Sequence, residues 1–365
     1  MSMDPLHLYF SSAFLLTCLF GGVMAKTGFC SMGAVTDQVV MGDSGRLVAW
    51  WSGISLATLA FALLRFNYEV SLSSTIPPYS DLHFSWLRFL LGGSLFGVGM
   101  TLTGGCALRS LVKSCGGNLK SMVVLVVMGC CAFGMVRLGW YEHFFYPWVN
   151  GTALNLTSLQ AANLTSFSDQ WLAPEISHLI WAITFCMVAA RWFVRNRNHP
   201  ELKDLLLSAA GLGAAVALAW WITIGSIGQA SIEHAQFSDF PSVRVGSQAL
   251  TYVQPWVQLG SWLSEGLEHS QFTFSLASLL GTSAGAIAYH LWKRKWHWQW
   301  FQNLRDFFLH IVGAALMGVG GVLALGCTIG QGVSGMSTLA LGSLLATVSI
   351  IFSSAWTIKL RYRFA

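Results

Sequence analysis

Apolar runs of about twenty residues recur along this chain, separated by short stretches where glycine and polar residues collect. A helix rising 1.5 Å per residue needs about 20 apolar residues to cross a bilayer. The pattern predicts nine spans, at about 7–25, 46–65, 86–105, 118–139, 175–194, 203–224, 271–292, 307–326 and 337–358. Four flanking stretches are too short or too glycine-rich to span: Thr27–Asp43, Cys106–Gly117, Gly225–Gly246 and Cys327–Ser337. Residues 66–84 and 141–174 read as extramembrane loops, punctuated by Pro77, Pro78, Pro147 and Pro174. Residues 252–270 set Trp256 and Trp262 among polar neighbours and read as an interfacial amphipathic helix.

Two of the apolar runs say the same thing. Leu90–Cys106 (LLGGSLFGVGMTLTGGC) aligns without gaps on Ile311–Cys327 (IVGAALMGVGGVLALGC) at an offset of 221 positions. Gly92 falls on Gly313, Gly97 on Gly318, Gly99 on Gly320, Gly105 on Gly326 and Cys106 on Cys327. Such an internal duplication points to transport.

Composition agrees with the pattern. The 365 residues are 54% hydrophobic and 10% charged, with a mean hydropathy of +0.58. Soluble domains carry about 25% charged residues, so the expected fold class is an all-α polytopic membrane protein. It has about nine transmembrane helices plus short re-entrant helices. The first run lacks a basic n-region, since Asp4 and His7 precede it, and reads as an uncleaved helix. Basic clusters at Arg191/Arg195/Arg197/Lys203, Lys293/Arg294/Lys295/Arg305 and Lys359/Arg361/Arg363 set the orientation. Placing them inside puts the N-terminus outside and the C-terminus in the cytoplasm. The third span then runs inward to Cys106 and the eighth outward to Cys327, so the two pseudo-symmetric halves are inverted. Residues 1–139 form the first repeat (spans 1–4) and 203–365 the second (spans 6–9). Between them, 140–202 hold a loop and connector span 5.

The chemistry sits where helices break. Cys106 and Cys327 directly follow glycine and Cys30 stands two residues after Gly28, each at the end of an apolar run. Cys18, Cys130, Cys131 and Cys186 lie mid-run among apolar neighbours and read as packing thiols, as does Cys115 before Gly116. There is no C-x-x-C. Irregular backbone at membrane depth persists only where it is buried or lines a wet cavity. A helix that starts after such a break points its partially positive end at the cavity, which suits an anion. A protonated thiol adds a soft sulfur and a weak donor, matching a sulfur- or selenium-bearing anion better than a hard oxyanion. The expected substrate-binding residues are Cys30, Cys106, Cys327, Gly105, Gly326, Thr328, Gln331 and Arg109. Asp37 and Asp43 read as cap or turn residues with a proton-relay alternative. No metal-ligand spacing, nucleotide-binding loop or hydrolase motif stands out, so neither cofactor nor catalytic residue is expected, and no nucleic-acid partner.

The segments GFCSMGAVTD (28–37), GVGMTLTGGCALRSLVKSCGGNLKS (97–121) and MGVGGVLALGCTIGQGVSGMSTLALGS (317–343) resemble the YeeE/YedE family of sulfur-transport membrane proteins. The resemblance implies an hourglass of inverted halves and uptake of thiosulfate or a related sulfur compound across the bacterial inner membrane. It carries that family's three functional cysteines onto Cys30, Cys106 and Cys327, and implies a cytoplasmic sulfurtransferase-like partner. The stretch around Cys106 is also similar to a branch linked to selenium metabolism. Two other readings stand beside these: a membrane thiol–disulfide relay, which needs two thiols within bonding reach, and a purely structural subunit.

Overall fold

The computed structural model describes residues 5–68, 70, 72–80, 83–155, 163–167, 173–237, 245–266 and 272–363. Parts of the expected 66–84 and 141–174 loops, of Gly225–Gly246 and of 252–270 lie outside the described residues, as do Asp4 and the first residue of span 271–292. The chain forms α1 (Pro5–Thr27), α2 (Ser31–Thr36, continued by a π turn to Met41), α3 (Gly45–Arg65), α4 (Trp86–Leu102) and α5 (Ala107–Ser114). It continues with α6 (Leu119–Arg137), α7 (Tyr146–Asn150), α8 (Pro174–Arg195), α9 (Leu202–Ile224) and α10 (Ser226–Phe237). Last come α11 (Gln254–Ser264), α12 (Phe274–Trp292), α13 (Leu304–Leu323), a π turn (Gly330–Gly335) and α14 (Leu341–Arg363). Two-residue strands at His83–Phe84 and Leu154–Asn155 pair antiparallel and tie two loops together.

Local chemistry sets many of these boundaries. Asn118 and Asn303 accept the amides of Ser121 and Asp306 at 2.9 and 2.7 Å, which starts α6 and α13 by side-chain capping. Pro174 stands in the first turn of α8, where its missing N–H costs nothing. Lys26, Arg65, Arg137 and Arg195 occupy last turns, complementing the helix dipole.

Among the described residues, eight helices are long and apolar enough to cross a membrane. The chain is therefore an all-α polytopic membrane protein. The seventh expected span, α12, has 19 residues but is diluted by Ser275, Ser278, Thr282, Ser283 and His290. The first three are buried, and Gly281 and Gly285 lie against Phe14 and Cys18 of α1. A helix shielded by protein tolerates such polarity where a lipid-facing one does not. In the segment at 252–270, α11 packs one side against the bundle. The Trp256 side chain lies 3.2 Å from where a Cβ would stand on Gly129 of α6, and that of Phe133 2.7 Å from one on Gly260.

The centre of the molecule is the crossing of α4 and α13. A Cβ on Gly92 would stand 2.8 Å from the carbonyl oxygen of Gly320, and one on Gly320 would stand 2.7 Å from that of Gly92. Gly99 and Gly313 face each other in the same way, at 2.5 and 2.8 Å. Only glycine permits this approach at two successive points. Under the 221-residue offset the contact Gly92–Gly320 becomes Gly313–Gly99, so the crossing maps onto itself. The contacts also fix direction: α4 and α13, the two copies of the repeated motif, run antiparallel. Gly97 packs on Ile350 of α14, while its counterpart Gly318 packs on Met128 of α6. Neighbouring contacts make α1 parallel to α12, α3 to α9, α4 to α14 and α6 to α13. α8 runs antiparallel to α3, from His178 beside Arg65 to Trp192 beside Ser44.

Candidate functional site: three helix breaks around a closed waist

Both copies of the repeat end in the same backbone device. In α4 the amide of Gly105 bonds back to Met100 O at 3.0 Å, and in α13 that of Gly326 bonds back to Gly321 O at 2.8 Å. Each is the six-to-one bond that closes a helix through a left-handed residue. That residue is Gly104 in the first copy, at φ 68°, and its counterpart Leu325 in the second, at φ 59°. A leucine held there carries left-handed strain that glycine does not. After the turn the chain extends through the cysteine and restarts as helix. The carbonyls of Cys30, Cys106 and Cys327 accept the amides of Ala34, Ser110 and Gln331 at 2.9, 2.9 and 2.8 Å. Each sulfur faces the amide three residues on. For Cys327 this is a hydrogen bond of 3.4 Å from Gly330 N–H. For Cys30 and Cys106, toward Gly33 and Arg109, the contact falls short of capping geometry.

The fold brings these breaks together. The Cys30 and Cys106 thiols come within interaction range of one another, short of full hydrogen-bond geometry. Thr328, next to Cys327, and Ser31, next to Cys30, turn their hydroxyls toward the Cys106 sulfur. Neither hydroxyl reaches full hydrogen-bond geometry, so Ser31 Oγ and Thr328 Oγ1 remain buried without a made partner. Buried polar atoms are almost always satisfied, so two unsatisfied hydroxyls beside one sulfur set this spot apart. Cys327 lies within electrostatic range of Tyr79 and Tyr252, and Tyr252 within range of Cys106 as well. All three thiols are buried, at 7, 2 and 0% exposure, so the waist is closed.

The other expected site residues divide. Arg109 is half-buried, its guanidinium lying over the Gly28 turn, about 3.6 Å from where a Cβ on Gly28 would stand. Lys113, one turn on, caps the end of α4 through Gly104 O at 3.2 Å. These two basic groups stand one turn apart on α5. Gly105 leaves ordinary room around its α-carbon, whereas a Cβ on Gly326 would press to 3.2 Å of Gln331. Gln331 is fully engaged in the scaffold: its amide donates to Ala324 O at 2.7 Å and accepts from Ser343 Oγ at 2.5 Å. It braces the Cys327 turn and has little left for a guest. Asp43 accepts the Gly45 amide at 2.8 Å, the turn use, while Asp37 pairs with Arg46 at 3.3 Å.

Opposite Arg109 a cavity of about 90 Å³ is lined by Pro78, Tyr79, His83, Arg88 and Leu325, among others. Arg88 caps the end of α13 there, donating to Leu323 O at 2.7 Å. Tyr79 donates to Gly330 O at 3.0 Å; burial first, and the nearby Cys327 sulfur second, push its phenol up. Tyr79 therefore stays a neutral donor. Ser31, Tyr79, Tyr252 and Arg88 are not singled out by the sequence pattern. Ser31 had a signal, adjacency to Cys30; the other three come from segments that hydropathy reads only as loop or helix start. Cys130 is exposed, Cys18, Cys131 and Cys186 are partly so, and Cys115 is buried beside Ser114 and Ser283, away from the three breaks. Among the described residues no cluster of His, Cys, Asp or Glu has the makings of a metal site.

Residues 26–357 match the family model described as sulphur transport. The chain belongs to that family. The match runs through all three helix breaks, so the whole waist lies within the sulphur transport homology. A stretch of 115 residues is 28% identical to the thiosulfate transporter TsuA of Escherichia coli (strain K12). That stretch is 31% of this chain and 30% of the relative, so the similarity spans less than a third of that protein's length.

Proposed function

We propose that this chain carries thiosulfate, or a closely related sulfur-containing anion, across the bacterial inner membrane without covalent change. The observation that carries this reading is the meeting of the Cys30 and Cys106 thiols beneath Thr328 of the Cys327 turn, with two buried hydroxyls unsatisfied. The anion enters at the Tyr79–Arg88 cavity, passes Cys327, is handed to Cys106 and Cys30, and leaves past Arg109 and Lys113. Soft S–H donors hold it weakly, and passage requires release as well as capture. The helix starts behind each cysteine offset its charge. Residues 1–139 and 203–365 act as inverted halves around this waist, with 140–202 as loop and connector. The antiparallel, self-mapping α4–α13 crossing supports that division, and an N-terminus outside with a cytoplasmic C-terminus follows from the basic clusters. A cytoplasmic sulfurtransferase-like protein would receive the anion at the Arg109 mouth. A selenium-bearing anion satisfies the same soft contacts and is the substrate-level alternative.

The test is growth of a sulfur-auxotrophic host with thiosulfate as sole sulfur source. Cells carrying the chain grow, cells without it do not, and Cys130→Ala behaves as the parent. Failure of the parent chain to support growth, with folded protein in the membrane, removes the thiosulfate reading.

One observation favours a second reading. Thiols that face each other at close range, as Cys30 and Cys106 do, suit a relay in which both become one disulfide while a partner disulfide takes up two electrons and two protons. In that case a Cys30–Cys106 disulfide forms with an oxidised dithiol protein, and uptake of thiosulfate is absent.

A further inference from the structure

A second concave site lies away from the waist. α3, α8 and α14 leave a groove of about 500 Å³ between them. Its walls are apolar, with Trp51, Ile54, Val188, Val348 and Ile351 among them. Val188 and Val348 are more than half exposed, so the groove opens sideways to the lipid phase. At one end stand Arg191 and Arg195, both exposed and with no ion pair among the described residues. They close the last two turns of α8. Inside, the indole nitrogens of Trp50 and Trp51 and the hydroxyl of Thr347 are buried without a partner. Trp50 itself is only 2% exposed. The two indoles sit within two turns of the start of α3 at Gly45, the end that lies beside α8's arginines. Apolar walls, unsatisfied N–H donors near the end and two free cations beyond them reproduce, in order, acyl chain, ester carbonyl and phosphate.

We propose that this groove binds one anionic phospholipid, its chains along α3 and α14 and its phosphate on Arg191 and Arg195, and that the bound lipid braces the turn after Cys327. The brace is direct. Trp50 presses on Gly332 of that turn, where a Cβ would stand 2.6 Å from its ring, and Met336 at the end of the turn lines the groove. Juxtamembrane basic side chains attract anionic headgroups by about 1 kcal/mol each, and charge complementarity selects phosphatidylglycerol over a zwitterionic lipid.

The experiment uses the purified full chain in detergent, with no sulfur anion present, titrated with phosphatidylglycerol or phosphatidylcholine. Thermal unfolding reads binding, and peptide-mapped maleimide labelling of Cys327 reads the brace. Phosphatidylglycerol raises the melting temperature and slows Cys327 labelling several-fold more than phosphatidylcholine does. The Arg191→Gln/Arg195→Gln chain needs at least tenfold more phosphatidylglycerol for the same shift. Val188→Trp, which fills the groove from its exposed side, removes the response. Equal effects of the two lipids, or a double variant that responds as the parent does, overturn the proposal. A second copy of the chain seated on the groove would give a headgroup-independent dimer and overturn it too. Because neither readout involves transport, failure here leaves the thiosulfate reading standing, and failure of growth on thiosulfate leaves this one standing.

Discussion

The Cys106 break and the Cys327 break share one backbone and differ in what surrounds it. Both end an apolar helix through a left-handed residue and a six-to-one hydrogen bond, then restart behind the cysteine carbonyl. After Cys106 comes a regular helix, α5, carrying Arg109 and Lys113. After Cys327 comes a π turn with every residue from Gly330 to Gly335 buried and no charge among them. Ser334 bonds Leu250 O at 2.8 Å, Ser337 bonds Ser334 O at 2.6 Å, and Trp220 and His178 in turn clamp Ser337. The same backbone device occurs twice; side chains surround one copy with basic charge and the other with a neutral, locked turn.

Breaking the shared crossing should have the largest effect. Gly92→Ala or Gly320→Ala places a methyl group against opposing backbone, which cannot move as a side chain would. Overpacking costs typically about 1–3 kcal/mol and more where backbone is hit. Loss of folded, monodisperse protein on size exclusion is expected for either variant, because both breaks stand on this contact. Gly104→Ala, which meets open space, should fold.

Removing the sulfur comes next. Cys106→Ala takes away the partner of Cys30 and the focus of Ser31 and Thr328, and uptake into vesicles should fall about 100-fold, the equivalent of roughly 2.7 kcal/mol of barrier. Cys327→Ala keeps that pair and should lose less, about tenfold. Equal rates for Cys106→Ala and Cys130→Ala would end the case for a special thiol.

A third pair sets the locked turn against the basic helix. Gln331→Leu abandons Ala324 O and Ser343 Oγ in a buried site, at roughly 2–3 kcal/mol of stability, read by thermal unfolding. Arg109→Gln should leave stability unchanged and raise the half-saturating anion concentration several-fold at low salt. That effect should fade as salt shortens the screening length to about 10 Å at 0.1 M.

The smallest effect tests the left-handed turns themselves. Gly104→Ala should cost about 1 kcal/mol from backbone strain. Leu325→Gly relieves strain of similar size while losing the contacts of a half-buried side chain, so its melting temperature should stay close to the parent's.

Much of this was legible beforehand, and for a physical reason. Burial in lipid forces long apolar runs, and a broken helix in that setting needs glycine and a protected place, so the spans and all three cysteine breaks show in one dimension. Span 7 was the exception in kind: α12 hides serines and threonines against α1, and hydropathy cannot tell a shielded polar residue from an exposed one. Gln331 was legible as polar and buried, yet whether its amide faced a guest or a carbonyl depended on where Ala324 and Ser343 came to lie. Tyr79 and Tyr252 gave no signal, because their place beside Cys327 is made by loops folding back across some 250 and 75 positions of chain.

By itself the sequence determined that this is a polytopic membrane protein with one helix-end motif written twice, where its helices stop, and which cysteines stand at the stops, since each follows from local hydropathy and backbone conformation. Only the tertiary structure decided that Cys30 meets Cys106 under Thr328, that Gln331 is a brace, and that α4 and α13 cross backbone to backbone. Those are contacts between distant positions, chosen by how surfaces interlock, and no local preference encodes them.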